Sequence, residues 1–328
     1  MATCWRPWLV HDLPWLWLVA GALWLEFFIR WPGRIPHPVV ALGALIGALD
    51  RRWNLNPVPE RTKRWRGVLA LLVVAVSAAV VGLVVQCGLT AWLPDIAPYL
   101  CALLGIFGLA AGSLHQHFVA IQRPLSQNDL EAAKHAVSMI VGRDTATMNA
   151  SDISAAALES LAESFNDGVV APVFWFAIWG LPGLFAYKAI NTADSMIGHM
   201  EPRWRAFGWA AAKTDDIANW IPARIAGLLI VMACAARGTA SQALRVMLKD
   251  AAKHASPNAG WPEAAMAGAL GVRLGGAVHY DGVLCERPSF GNGSAPTAMD
   301  MKNGAVIYLL ALGLLTIILV LAGALWRL

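Results

Sequence analysis

Residues 67–92 read GVLALLVVAVSAAVVGLVVQCGLTAW, a run without one charged side chain. Roughly 20 predominantly apolar residues cross the hydrocarbon core of a bilayer, and this run exceeds that. Backbone groups in hydrocarbon must bond within their own segment, which a helix achieves. The run therefore predicts a membrane-spanning helix, and 304–326 is equally free of charge. Outward from these lie shorter apolar stretches at about 13–29 and 98–114, and two more at 169–187 and 217–236. Pro172, Pro182-Gly183 and Pro222 interrupt the last two, and Arg224 sits inside the second. Prolines at such depth are tolerated where backbone lines a cavity instead of lipid.

Composition agrees with this reading. The chain is 58% hydrophobic and 14% charged, with a mean hydropathy of +0.54, whereas soluble domains run nearer half apolar and a quarter charged. The expected fold is all-α: one polytopic integral membrane helical bundle over 1–328, with broken or re-entrant helices and cytoplasmic amphipathic helices. The polar regions are 115–168, 188–216 and 237–303. The lipid bilayer is the first implied partner.

Several classes are excluded. The net charge of +4 is modest and the basic residues cluster in loops, so nucleic acid is not a partner. Cys4, Cys87, Cys101, Cys234 and Cys285 contain no C-x-x-C pair, which argues against a disulfide framework or a zinc site and for small buried hydrophobes. Arg6 precedes the first apolar run, but no small-residue cleavage site follows, so this run reads as a retained membrane segment. Trp5, Trp8, Trp15, Trp17, Trp24 and Trp31 around it suit interfacial anchoring. The Lys/Arg-rich loop 30–66 is expected to be cytoplasmic and 93–97 external, which returns 115–168 and 237–302 to the cytoplasm. An inner (plasma) membrane location with a cytoplasmic active site follows. Helices are expected at 128–141 and at 151–165, the latter capped by Ser151 or Asp152. Another follows 254–261, with Pro262 as its first residue and Glu263 in its first turn.

The chemistry concentrates in 143–224 and 254–263. Charges within bilayer segments cost roughly 2.5–3.5 kcal/mol each at a helix centre, so they mark function. Glu159 and Glu163 stand four apart on one helix face, which Asn166 and Asp167 continue. Lys188, Asn191, Asp194 (or Ser195) and Gly198 form another stripe, followed by Asp215, Asp216, Asn219 and Arg224. Oxygen donors without paired His or Cys suit Mg²⁺ better than zinc or copper; the residues alone also allow a solvated acidic face or a polar seam between helices. Arg143 offers a guanidinium for a carboxylate or phosphate. His254-Ala-Ser256-Pro257-Asn258 leads into a helix whose N-terminus could receive an anion. His37, His115, His117 and His199 are isolated and expected to be structural. The chain has no P-loop, no G-x-G-x-x-G, no G-x-S-x-G and no H-E-x-x-H.

The runs Val141-Gly-Arg-Asp144, Glu159-Ser-Leu-Ala-Glu163, Asn166-Asp-Gly-Val-Val-Ala-Pro172 and Tyr187-Lys-Ala-Ile-Asn-Thr-Ala-Asp-Ser-Met-Ile-Gly198 resemble the adenosylcobinamide-phosphate synthase family of cobalamin biosynthesis. So do Phe207-Gly-Trp-Ala-Ala-Ala-Lys-Thr-Asp-Asp216, Ile221-Pro-Ala-Arg224, the stretch from Ser256 to Gly268, and His37-Pro-Val-Val-Ala-Leu-Gly43. One departure is Glu163-Ser164, where the family usually has Glu-Asn. The resemblance implies a ligase that joins adenosylcobyric acid to (R)-1-amino-2-propanol phosphate, with Mg²⁺ and ATP, giving adenosylcobinamide phosphate. Under that reading Glu159, Glu163, Asp194 and Asp216 are catalytic, and the same four with Asp215 hold metal. Arg143, Asn166, Asp167, Lys188, Asn191, Arg224, His254, Ser256 and Asn258 would bind substrates. Other corrinoid-assembly enzymes or a second copy of the chain are the expected partners. A membrane carrier of a corrinoid or organic anion, or a non-catalytic scaffold, is the alternative.

Overall fold

The computed structural model describes residues 15–29, 37–280 and 283–326. Cys4, Trp5, Arg6, Trp8, Trp31, the start of the first apolar run and the basic residues Arg30 and Arg34 lie outside the described residues. Helices α1 (Trp15–Ile29), α2 (Val39–Trp53), α3 (Glu60–Trp92), α4 (Ala97–Gly105), α5 (Ala111–Ser126), α6 (Leu130–Ser138) and α7 (Ala150–Phe165) occupy the first half. The second holds α8 (Ala171–Ile197), α9 (Trp209–Ala218), α10 (Trp220–Ala233), α11 (Ala240–Asp250), α12 (Gly260–Leu270) and α13 (Ala298–Leu325). Among the described residues, the helical runs Glu60–Trp92, Ala97–Ser126, Ala150–Ile197, Trp220–Arg237 and Ala298–Leu325 are long and apolar enough to cross a membrane. The protein is a multi-pass, all-α membrane protein.

The chain divides into two compact units, one made of 1–110, 171–219 and 319–328, the other of 111–170 and 220–318. In the first, α3 shows why its sequence spans. Leu69, Leu72, Val73, Val76, Val80 and Val84 are exposed, as lipid-facing side chains are. The opposite face buries Gly67, Ala70, Val74, Ala78 and Gly82, small residues that let another helix approach closely. A Cβ at Gly82 would stand 2.8 Å from the Leu181 carbonyl carbon of α8, and one at Gly67 only 1.8 Å from the Phe207 oxygen. Ile46 of α2, Leu71, Ala189, Ala193, Ile197 and Phe207 close this core.

Helix α8 is interrupted as its Pro182-Gly183 pair implies. Gly180 adopts φ 63° and ψ −148°, a conformation open to glycine but strained for other residues. A Cβ on Gly183 would lie 2.5 Å from the carbonyl oxygen of Trp175, eight residues earlier, whereas a straight helix separates such residues by about 12 Å. The chain therefore bends sharply here, dividing α8 into 171–179 and 181–197. The bend frees the Leu181 N–H, and it donates to Gln86 Oε1 of α3 at 3.0 Å.

In the second unit α12 is buried on all sides, from Gly260 and Pro262 through Ala269, and packs against α7, α10 and α11. Tyr308 of α13 donates its hydroxyl to the Ala111 carbonyl at 2.7 Å and meets Phe165 edge-on.

Several expectations are corrected. The segment 30–66 contains α2, whose apolar 39–49 stretch ends in Asp50-Arg51-Arg52, and the basic 61–66 stretch forms the first turns of α3. Pro172 follows directly on the π-helical turn Asn166–Val170 inside the continuous run Ala150–Ile197, and Pro222 lies in the first turn of α10; neither ends its helical run. The 98–114 stretch is divided by a 3₁₀ turn at Ile106–Gly108. Helix α7 is capped by Asn149, not Ser151 or Asp152; Asp152 instead closes a capping box by accepting the Asn149 N–H. Pro262 is the third residue of α12, not the first. Two short antiparallel pairs also appear, β1 (Leu274–Gly275) with β4 (Ser289–Phe290) and β2 (Val278–Tyr280) with β3 (Val283–Cys285). Cys101 and Cys234 are buried, Cys87 and Cys285 partly so, all as free thiols.

Candidate functional site

A polar cavity of about 380 Å³ opens in the second unit. The loop before α7 supplies Arg143, α7 supplies Glu159, Ser160 and Glu163, the link between α11 and α12 supplies His254, α12 supplies Glu263, and the turn between β3 and β4 supplies Arg287. The i, i+4 spacing does place both α7 glutamates on its wall. Glu159 is a buried hub. Its Oε2 accepts from Arg143 Nη2 at 2.7 Å and Arg287 Nη2 at 3.5 Å, and its Oε1 accepts from the Gly275 N–H at 2.7 Å. Both oxygens are thus committed to cations and a backbone donor, so Glu159 serves as an ion-pair partner and not as an open metal ligand.

Glu263 is only 2% exposed. Its Oε1 lies 3.6 Å from His254 Nε2, and its Oε2 has no hydrogen-bond partner among the described residues. Burial, and then the charges of Glu163 and Glu159, push this carboxyl well above the usual carboxylate range, against the opposing pull of Arg287 and Arg143. Burial, and then Arg287, hold His254 below the ordinary imidazole value. The spacing suits an ion pair, but desolvation of both side chains favours two neutral groups. His254 Nδ1 accepts the Ser256 N–H at 2.9 Å, which leaves the neutral ring's proton on Nε2, facing Glu263. The ring stacks on Phe290.

Arg224 also belongs to this unit. It lies over the rings of Trp220 and Trp261, at 4.2 and 4.6 Å from their centroids, and donates to Asn258 Oδ1 at 3.2 Å. Ser256 Oγ accepts the N–H groups of Asn258 and Ala259, shaping that turn. Asn166 and Asp167 open the π-helical turn Asn166–Val170 and bond to each other at 2.7 Å; such turns recur at functional sites.

The remaining expected residues lie in the first unit. Asp215 of α9 accepts from Asn191 of α8 at 3.3 Å and from Asn219 at 2.9 Å, and Tyr187 donates to Asn219. Asp216 pairs with Lys213 at 2.9 Å. Both aspartates act electrostatically on Asp194, and Asp194 Oδ1 rests where a Cβ on Gly198 would be. Ser195 donates to the Asn191 carbonyl. Lys188 borders a separate apolar cavity of about 310 Å³ between residues of α2, α3 and α8, and its charge, after burial, lowers the pKa of His37.

Among the described residues no three His, Cys, Asp or Glu side chains converge as a metal set. Mg²⁺ usually keeps several waters and takes one or two carboxylates plus substrate phosphates. Asp194 and Asp216 could offer carboxylate oxygens to an ion held in that way; Asp215, like Glu159, has both oxygens taken by donors. The isolated histidines have structural contacts: His117 with the Ser113 carbonyl, His115 with Tyr308, His199 with Trp204.

Sequence reasoning treated Glu263 only as a helix-start residue and passed over Arg287. Glu263 had a signal, a carboxylate inside an otherwise apolar helix; Arg287 had none, because the strand pairs that carry it contain only two or three residues each.

Known proteins are similar along nearly the whole chain. The CobD/Cbib protein family model matches residues 19–308. A protein named cobalamin biosynthesis protein CobD from Rhodobacter capsulatus is 44% identical over 315 residues, covering 94% of this chain and 98% of the relative. Proteins of the same name from a Sinorhizobium species and from Halalkalibacterium halodurans are 42% and 40% identical, covering 91% and 93% of this chain and 89% and 96% of their own. No solved structure matches. With 19–308 matched and the cavity residues all inside that span, the chain belongs to the CobD/Cbib protein family of cobalamin biosynthesis.

Proposed function

We propose that the protein is an ATP-dependent amide ligase that joins the propionate carboxylate of adenosylcobyric acid to the amine of (R)-1-amino-2-propanol phosphate. The observation that carries this reading, beyond the family, is the polar cavity. It gathers two guanidiniums and three carboxyl groups around one small space, a concentration of desolvated charge that marks a candidate site for a charged ligand.

A carboxylate is a poor electrophile. Transfer of the γ-phosphoryl group to its oxygen breaks the bond to ADP and gives an acyl phosphate. The amine lone pair then attacks the acyl carbon, the C–N bond forms, the C–O bond to phosphate breaks, and a proton leaves the nitrogen. Positioning and electrostatics dominate such chemistry. Glu163 is our candidate for taking the amine proton, Glu159 locks Arg143 and Arg287 in place, and Arg224 with Asn258 orients an anionic group. In the first unit Lys188 and Asn191 would meet phosphate oxygens, and Asp194 with Asp216 would hold Mg²⁺, while Asp215 fixes Asn191 and Asn219 in place. That ion, when bound, neutralises phosphate charge. We assign the reaction to the cytoplasmic face of the plasma membrane, the side to which the Lys/Arg-rich 61–66 stretch points under the positive-inside rule.

The test is a mass time course with detergent-purified protein, adenosylcobyric acid, the amine phosphate, Mg²⁺ and ATP. An ATP-dependent mass gain matching the amide is expected. Corrinoid binding without product would move the assignment to a carrier or scaffold.

A further inference from the structure

The cavity in the second unit is lined by groups of both charge signs. Arg143 and Arg287 flank Glu159 on one side, while Glu163 and Glu263 contribute carboxyl groups that Glu159 does not share. The lining groups are few. Among the described residues, His254 is the one further titratable group in the wall besides these five side chains. The Oε2 atom of Glu263 is buried and has no hydrogen-bond partner among the described residues. Buried polar atoms are nearly always satisfied, and an oxygen left unpaired at the wall of a cavity marks the place where a ligand donor belongs. At about 380 Å³ the space suits a small molecule and is far too small for a corrinoid macrocycle.

We infer that this cavity is the subsite for the amino-alcohol phosphate: its primary ammonium sits at Glu163 and Glu263, with Glu263 Oε2 as acceptor, and its phosphate lies toward Arg143 and Arg287. The inference rests on the ligase reading and adds which substrate enters which cavity. Geometry supports it, because one small cavity wall carries both guanidiniums and carboxyl groups, as a zwitterion with its two charges a few bonds apart requires. Burial, and then the neighbouring carboxylates, disfavour the ionised form of Glu263, and an ammonium would relieve the second of these.

The experiment compares wild type with Glu263→Gln and Glu263→Asp in the amide-forming assay, titrating the amine phosphate and ATP separately. A hydrogen bond to a charged group is worth enough for an affinity loss of about ten- to a hundred-fold. Glu263→Gln is therefore expected to raise KM for the amine phosphate by at least about ten-fold, leave KM for ATP unchanged, and be partly rescued by Glu263→Asp. An unchanged amine KM, or equal rises for both substrates, overturns the assignment while leaving the ligase intact. Calorimetric titration with the amine phosphate alone separates the two ideas if no product forms. Binding by wild type that Glu263→Gln loses, and that 1,2-propanediol phosphate (no amine) does not reproduce, upholds the subsite without the ligase. Equal binding by both proteins overturns it.

Discussion

At the residue scale Glu263 sets two requirements against each other. Its carboxyl is held above the usual range in the folded state, so between the unfolded and folded values the native state binds more protons than the unfolded state. Stability then falls as pH rises from about 4.3 toward the folded value. Glu263→Gln removes that penalty, and its unfolding temperature in detergent is expected to exceed wild type at pH 7–8, with the gap narrowing toward pH 4. A gap that does not change with pH would show that the buried carboxyl imposes no proton-linked cost. Such a variant would be more stable and less able to bind the amine, the exchange expected where function keeps a strained group. Arg143 shows the opposite case. Glu159 and Arg143 are both nearly enclosed, and removing one partner of a buried pair leaves an uncompensated charge. With Arg287 and the Gly275 N–H still present, Arg143→Met is expected to cost about 2–4 kcal/mol, partly recovered in Arg143→Met/Glu159→Gln by chemical denaturation. For the first unit, Asp194→Asn and Asp216→Asn are expected to abolish turnover while leaving the unfolding temperature within a few degrees of wild type. Near-normal turnover in either would remove that residue from the chemistry.

At the scale of elements, the sequence was most legible where one periodicity dominates. The uncharged 67–92 run is a helix because nothing else spans hydrocarbon, and the Pro182-Gly183 pair marks a real bend. Legibility ended where the outcome depends on contacts distant in sequence. Nothing local in 30–66 separates a basic loop from α2, whose inner residue Ile46 is buried only through its packing in the cluster with α3 and α8. The same holds for Gln86, which reads as an ordinary polar interruption but accepts the N–H freed by the bend at Gly180. Gln86→Leu leaves that donor unpaired in an apolar interior and is expected to destabilise by about 1–3 kcal/mol. Gln86→Glu, which keeps an acceptor, should lose less when assayed near pH 5. Equal losses would mean that the bond contributes little. The same contrast governs the candidate-site carboxylates: helical spacing made the Glu159–Glu163 face readable, but the commitment of Glu159 to two arginines depends on a guanidinium 128 positions away.

At the scale of the whole molecule, each unit is assembled from separated stretches of chain, with 111–170 and most of 220–318 interrupting the first. The face of α3 carrying Gly67, Ala70, Val74, Ala78 and Gly82 is shaped for backbone approach by α8 and the Phe207 segment. That partner is made only after residue 171. A fragment ending at residue 110 therefore inserts α3 with its small-residue face uncovered, and in membranes close packing of such faces supplies much of the association energy. We expect 1–110 expressed alone to be aggregated or rapidly degraded. Co-expression with 111–328 should recover protease-resistant material, because the two pieces together contain every element of both units. Limited proteolysis and size-exclusion chromatography in detergent distinguish the outcomes. A monodisperse, protease-resistant 1–110 would mean that α1–α4 form a self-sufficient bundle and that α8 is docked on a core already complete. If α8 is required, as its bend and its bond to Gln86 indicate, the lysine, asparagine and aspartate stripe at 188–194 is fixed by the same packing that completes the membrane core, and substitutions at Gly82 should disturb that stripe without touching it.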